Sequence, residues 1–170
     1  MLNTLSIALL FLIDFLLQSI FNLSNPQHIQ FVSNLHFIAL VVYAREDDRT
    51  DIAIKVLLVS FFMDLIHLGS FPAYYLAYGI SILVIRFWHR HVSDSYFEKM
   101  LIIGLALFIK EIVMFFALFV MGHVDVSITW FIANRSLWVI LFNIVVFPIA
   151  YVIINKTNKL IKNYSKRHYQ

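Results

Sequence analysis

The sequence predicts an all-α integral membrane protein with six transmembrane helices and both termini in the cytoplasm. Of its 170 residues, 61% are hydrophobic and 14% are charged, and the mean hydropathy is +0.82. Soluble domains average about 45–50% apolar and about 25% charged residues. Two further observations support the prediction: the apolar residues fall into six runs, and the basic residues cluster in alternate connections.

Each apolar run is interpreted as one helix, because turn residues or charges interrupt the chain between runs. The second, third and fourth runs are short for a hydrocarbon core about 30 Å thick. The first run has no preceding Lys or Arg and no small-residue cleavage pattern after it, so it is interpreted as a helix and not as a signal peptide. The runs form a six-helix domain over residues 1–154, followed by a basic cytoplasmic tail over 155–170. They are Leu5–Leu23, Ile29–Ala44, Ile52–Leu68, Ala73–Trp88, Met100–Met121 and Ile128–Ile154.

The basic residues predict the orientation of the chain. Of the 13 Lys and Arg residues, all except Lys110 and Arg135 flank the connections after the second and fourth runs or follow the sixth. The connections after the first, third and fifth runs contain none, and the positive-inside rule places those connections outside the cell. We therefore expect a multi-pass membrane protein with both termini in the cytoplasm. The basic tail is either a topology signal or a binding segment for anionic membrane lipid.

Five ionisable residues lie inside the predicted spans: Asp14, Asp64, Lys110, Glu111 and Arg135. Each would cost about 2.5–3.5 kcal/mol alone at the centre of a membrane helix, so they must pair, become neutral or face a wet cavity. Counting 1.5 Å per residue places Asp64 and Arg135 at a similar depth near the external surface. We expect these two to form an ion pair.

The remaining three ionisable residues, together with Asn143, are predicted to form a deeper polar layer. Helical spacing also predicts three polar stripes that face the bundle interior. These side chains either fix helix register or contact a ligand or ion directly. The stripes are Ser60, Asp64 and His67; Asp14, Gln18 and Asn22; and Tyr74, Tyr78 and Ser81.

Motifs of catalysis are missing from the sequence. There is no cysteine, no G-x-S-x-G nucleophile frame, no H-E-x-x-H zinc motif and no glycine-rich phosphate loop. Asp14 and Asp64 are not interpreted as an intramembrane aspartyl pair, because Asp64 lacks the glycine framing that such proteases use. We therefore expect a protein that is not an enzyme, has no cofactor and has no nucleic-acid partner.

The stretch Val59–Ser70, with Asp64 in its middle, resembles the rod shape-determining protein MreD family, in which a glycine- and leucine-rich helix ends in an aspartate. The resemblance continues with a glutamate on the fifth helix, here Glu111. On the last helix it continues with an arginine, an asparagine and a proline, here Arg135, Asn143 and Pro148. Ser60 and Ala73 occupy positions where the family usually has glycine.

The resemblance implies a nonenzymatic membrane subunit of the bacterial cell-elongation machinery. Such proteins bind the single-pass protein MreC. Through MreC they reach the actin-like MreB filament and a peptidoglycan synthase pair, a SEDS glycosyltransferase with a class B penicillin-binding protein.

Two alternatives have different consequences. The first is the substrate-binding S component of an energy-coupling factor vitamin transporter, which is also a six-helix protein of this size. Such components dock their coupling subunit through an A-x-x-x-A pattern on the first helix. Here the residue four positions after Ala8 is Leu12, which is not small. The second is a proton-coupled transporter. Such a protein would need inverted repeats or glycine-broken helices, and the sequence shows neither.

Overall fold

The chain folds into six helices in the computed structural model, which describes residues 2–24, 32–67, 70–88 and 95–168. No strand occurs within these ranges, so the predicted helical class is confirmed. The predicted breaks at Ser24–Pro26 and His89–Phe97 lie largely outside the described residues. The helices are α1 (Leu2–Ser24), α2 (Leu35–Glu46), α3 (Arg49–Ile66), α4 (Ala73–Trp88), α5 (Tyr96–Val120) and α6, which begins at Ile128 and ends at His168.

The sixth helix changes its winding near its start. It consists of α-helical Ile128–Phe131, π-helical Ile132–Ser136 and α-helical Leu137–His168, which together form α6. The hydroxyl of Ser127 accepts a hydrogen bond from the Trp130 amide at 3.3 Å and so caps the first turn. Beyond the last apolar run, α6 continues into the segment predicted as a tail.

Among the residues that the structure describes, two helices are long and apolar enough to cross a membrane. They are Tyr96–Val120 and the Ile128–Lys159 part of α6. Apolar segments of α1, α2 and α4 are shorter. At 1.5 Å per residue, the 12 residues of α2 extend only about 18 Å.

Helix α2 forms the centre of the bundle and contacts all five other helices. Its residues from Leu35 to Val41 are almost completely buried. A helix that is enclosed on all sides cannot be amphipathic, which explains why its sequence is apolar around its circumference. The other helices therefore surround a short, central α2.

Side-chain contacts show which helix ends lie together. The hydroxyls of Ser6 and Tyr43 are 2.8 Å apart, and the Tyr43 hydroxyl donates to Asn158 Oδ1 at 3.4 Å. The Lys99 ammonium lies 5.6 Å from the centre of the Tyr151 ring. The start of α1, the end of α2, the start of α5 and the C-terminal half of α6 thus share one end, which we call the basic end. The basic residues at this end include Arg45, Arg49, Lys55, Arg86, Lys99, Lys156 and Lys159.

The outer surface of the bundle is strongly apolar. On α1, Leu5, Leu12 and Phe15 are each more than 60% exposed, and α3 and α6 carry similar exposed rows. Soluble monomers rarely expose continuous apolar areas of this kind. An apolar exterior around a polar interior is the distribution expected of helices surrounded by lipid.

Candidate functional site

The first part of the site is a carboxylate that caps a neighbouring helix. Asp14, buried in the middle of α1, accepts hydrogen bonds from the backbone amides of Leu35 and His36, both at 2.9 Å. It is also hydrogen-bonded to the Ser33 hydroxyl and to Nδ1 of His36. The first amides of a helix have no partner within the helix, and a negative charge there also interacts favourably with the helix dipole. Asp14 therefore explains how α2 can begin inside the protein.

His36 connects this cap to α4. Its Nε2 lies 2.7 Å from the hydroxyl of Tyr78, and both side chains are buried. The Phe11 ring meets the imidazole edge-on at 5.2 Å between ring centres. A carboxylate, an imidazole and a phenol thus form a continuous chain from α1 through α2 to α4.

Asparagines hold the non-helical segment that precedes α2. Asn143 on α6 accepts a hydrogen bond from the Asn34 amide at 2.8 Å and donates one to the Val32 carbonyl at 2.9 Å. The Asn34 side chain in turn accepts from Lys110 Nζ at 2.6 Å. A buried stretch of non-helical backbone needs such partners, because its amides and carbonyls have no partners within a helix.

Glu111 lies between two cations. Its carboxylate is 2.8 Å from Lys110 Nζ and 3.4 Å from Arg135 Nε. Glu111 and Lys110 are almost fully buried, whereas 37% of the Arg135 side chain is exposed. The expected ion pair between Asp64 and Arg135 is therefore wrong, since Arg135 reaches from the π-helical turn to Glu111 on α5 instead.

Asp64 serves as a second helix cap. Its carboxylate accepts hydrogen bonds from the backbone amides of Tyr74 at 3.1 Å and Tyr75 at 3.2 Å, in the first turn of α4. The Ser70 hydroxyl donates to it at 3.2 Å. These donors satisfy the charge of Asp64 without a basic partner, which removes the reason for pairing it with Arg135.

The structure brings most of the predicted deep layer together. Lys110, Glu111 and Asn143 are joined through Asn34. Asp14 accepts hydrogen bonds from the amides of the next two residues, Leu35 and His36. The sequence did not identify Ser33, Asn34 and His36 as site residues, because they fall in an apolar run that was interpreted as helix from residue 29. The adjacent serine and asparagine, both favoured at helix starts, were the available signal.

The polar stripes have different roles. Gln18 donates a hydrogen bond to the Ser33 carbonyl at 3.1 Å, and the Tyr78 hydroxyl is hydrogen-bonded to His36. The hydroxyls of Ser60 and Ser81 bond to carbonyls of their own helices, at 3.1 and 2.6 Å. His67 is exposed at the end of α3, and the side chain of Asn22 lies outside the described residues.

A cavity of about 380 Å³ lies beside this network, at the end of the bundle opposite the basic end. It is bordered by the second cap and by the exposed part of Arg135. Its lining mixes polar and apolar side chains, so it could accept a small molecule with both characters. The described lining residues are Gln18, Val32, Asn34, Met63, His67, Ser70, Tyr74, Met114, Leu118 and Arg135.

Most contacts of the network connect different helices. The buried carboxylates are those of Asp14, Asp64 and Glu111. Each of them forms hydrogen bonds or ion pairs with at least two groups. Within the described ranges, no group of three or more His, Cys, Asp or Glu residues is placed to hold a metal ion. Comparisons with protein-family models, curated proteins and solved structures returned no match.

Proposed function

We propose that this chain is a nonenzymatic subunit of the bacterial cell-elongation machinery, with six spans in the cytoplasmic membrane and both termini in the cytoplasm. The apolar exterior and the buried charges support the membrane placement. The gathering of basic residues at one end supports the orientation, because the positive-inside rule assigns that end to the cytoplasm.

The observation that carries the functional proposal is the convergence of the residues behind the MreD resemblance. Glu111 and Arg135 are ion-paired, and Asn143 joins the same network through Asn34. Asp64 caps α4 beside them. Residues that match a family by order along the chain and also meet in space are more informative than isolated matches on apolar helices.

The resemblance assigns the partners in this proposal. MreC is the direct partner, while MreB, the SEDS glycosyltransferase and the class B penicillin-binding protein belong to the wider complex. A saturated internal network suits such a role, because it holds the helices in one arrangement and leaves their outer surfaces for contacts.

Depletion in the host bacterium combined with affinity purification tests the proposal. We expect depleted cells to become round, with disturbed side-wall synthesis and no vitamin requirement. Mass spectrometry of the protein purified from native membranes should identify the elongation proteins. Normal cell shape together with absence of these partners would contradict the proposal.

The cavity of about 380 Å³ favours a second candidate, the S component of a vitamin transporter. Its position opposite the basic end would place it on the external side. Leu12, where a small residue is expected after Ala8, is evidence against this candidate. Co-purification of a transporter ATPase module, together with lost uptake of one vitamin on depletion, would establish it in place of the first.

A further inference from the structure

A second concave site lies on the outer surface, between α3 and α4. This groove has a volume of about 450 Å³. Its walls are almost entirely apolar, and Leu57 and Leu83 on its rims are at least 50% exposed. A Cβ atom added at Gly79 would meet no heavy atom within 4 Å, so the glycine leaves open space in the groove.

Two arginines mark one end of this groove. Arg49 begins α3 and Arg86 lies in the last turn of α4, and both line the groove. One terminal nitrogen of Arg86, Nη1, is buried and has no hydrogen-bond partner among the described residues. A buried guanidinium nitrogen without an acceptor is costly, since an arginine carries only donors. None of the described residues that line the groove is acidic, so the lining offers no carboxylate to the two arginines.

The length of the groove limits what can occupy it. From Arg49 to Leu57 along α3 is about 12 Å, and from Leu76 to Arg86 along α4 is about 15 Å. The hydrocarbon core of a bilayer is about 30 Å thick, so the groove extends through one leaflet only. A partner's transmembrane helix would continue through both leaflets, whereas a lipid chain ends at the middle.

We propose that this groove binds an anionic phospholipid from the leaflet at the basic end. Its phosphate contacts Arg49 and Arg86, and one acyl chain lies along the groove over Gly79. The arrangement of a basic site between helices beside the headgroup region is typical of anionic-lipid recognition. The proposal rests on the membrane placement and does not depend on a role in cell elongation.

Native mass spectrometry of the full chain in detergent tests this site, with equal additions of dioleoyl phosphatidylglycerol and dioleoyl phosphatidylcholine. We expect the wild type to retain the phosphatidylglycerol preferentially. R86Q and R49Q should each lower that preference about fivefold, the effect of one basic residue near an anionic surface. The matched control is K156Q, which removes one exposed positive charge at the same end but outside the groove.

A second variant tests the position of the acyl chain. G79L fills the groove from a position with open space and replaces a helical glycine with a better helix former, so it should fold at least as well. We expect it to lose preferential retention while both arginines remain.

Three results would overturn the proposal. The first is equal preference in R86Q and K156Q, which would show that the charge effect is diffuse. The second is unchanged retention in G79L. The third is loss in G79L of a co-purified single-pass protein while phosphatidylglycerol retention is unchanged, which would assign the groove to a partner helix. Failure of the wild type to insert into vesicles would instead contradict the membrane placement itself.

Discussion

The hairpins α1–α2 and α3–α4 use the same device at different depths. In each, an aspartate of the first helix accepts hydrogen bonds from the opening amides of the second. Asp64 lies two residues before the end of α3, about 3 Å along the axis, whereas Asp14 lies about 15 Å from the end of α1. Helix α2 therefore starts beside the middle of α1, whereas α4 starts beside the end of α3.

The difference in depth explains the difference in supporting contacts. Asp14 receives two side-chain donors in addition to two amides, and the segment before α2 is tied to Asn143. Asp64 receives one side-chain donor, from Ser70. A helix that begins far from water needs every opening amide and every carbonyl of the preceding segment satisfied by protein, whereas a helix that begins near the surface does not.

The largest expected effect is that of D14A. Removing this carboxylate leaves at least two buried amides and an imidazole without their partner, at about 1–3 kcal/mol for each unsatisfied group. We expect a loss of about 4 kcal/mol in the free energy of unfolding, measured by denaturation in detergent. D125A, which removes an exposed acid from the α5–α6 connection, is the control and should change stability by less than about 0.5 kcal/mol. Equal stability of the two variants would refute the capping role of Asp14.

A smaller effect is expected for D64A. Loss of a helix cap close to the surface costs about 1–2 kcal/mol, because water can reach part of the freed turn. Hydrogen exchange should show faster exchange in the first turn of α4, with α2 unchanged. D64N keeps one acceptor oxygen and should retain more protection than D64A. Exchange that increases equally throughout the bundle would mean that Asp64 is not a local cap.

The smallest effect tests the connection between the two hairpins. Y78F removes the hydroxyl that bonds to His36 and should cost about 1 kcal/mol. In the D14A background the imidazole has already lost its carboxylate, so the same substitution should cost less. A double-mutant cycle measures this difference. Strict additivity would show that the chain from Asp14 to Tyr78 carries no coupling.

The sequence predicts the depth of the polar residues along their helices better than it predicts which groups they contact. Lys110, Glu111 and Asn143 were placed in one layer, and the structure joins them. The pairing of Asp64 with Arg135 was wrong because counting residues from the helix ends gives depth and does not give the direction of a side chain around the axis. Backbone amides, which satisfy Asp64, are also invisible to a search for opposite charges.

The same limit applies to the start of α2. The run from Ile29 to Ala44 is mostly apolar, and hydrophobicity alone cannot distinguish a helix from a non-helical segment that is buried by its neighbours. The π-helical turn that carries Arg135 has no signal in the sequence either. It depends on how α6 packs in the bundle.

Single-cysteine labelling tests the central claim, a six-span membrane bundle with both termini in the cytoplasm, most directly. The chain contains no cysteine, so each introduced thiol can be followed without background. In spheroplasts with intact membranes, a membrane-impermeant maleimide should label D125C. It should label D48C and K159C, both at the basic end, only after permeabilisation. Labelling of K159C in intact spheroplasts, or protection of D125C, would contradict the account.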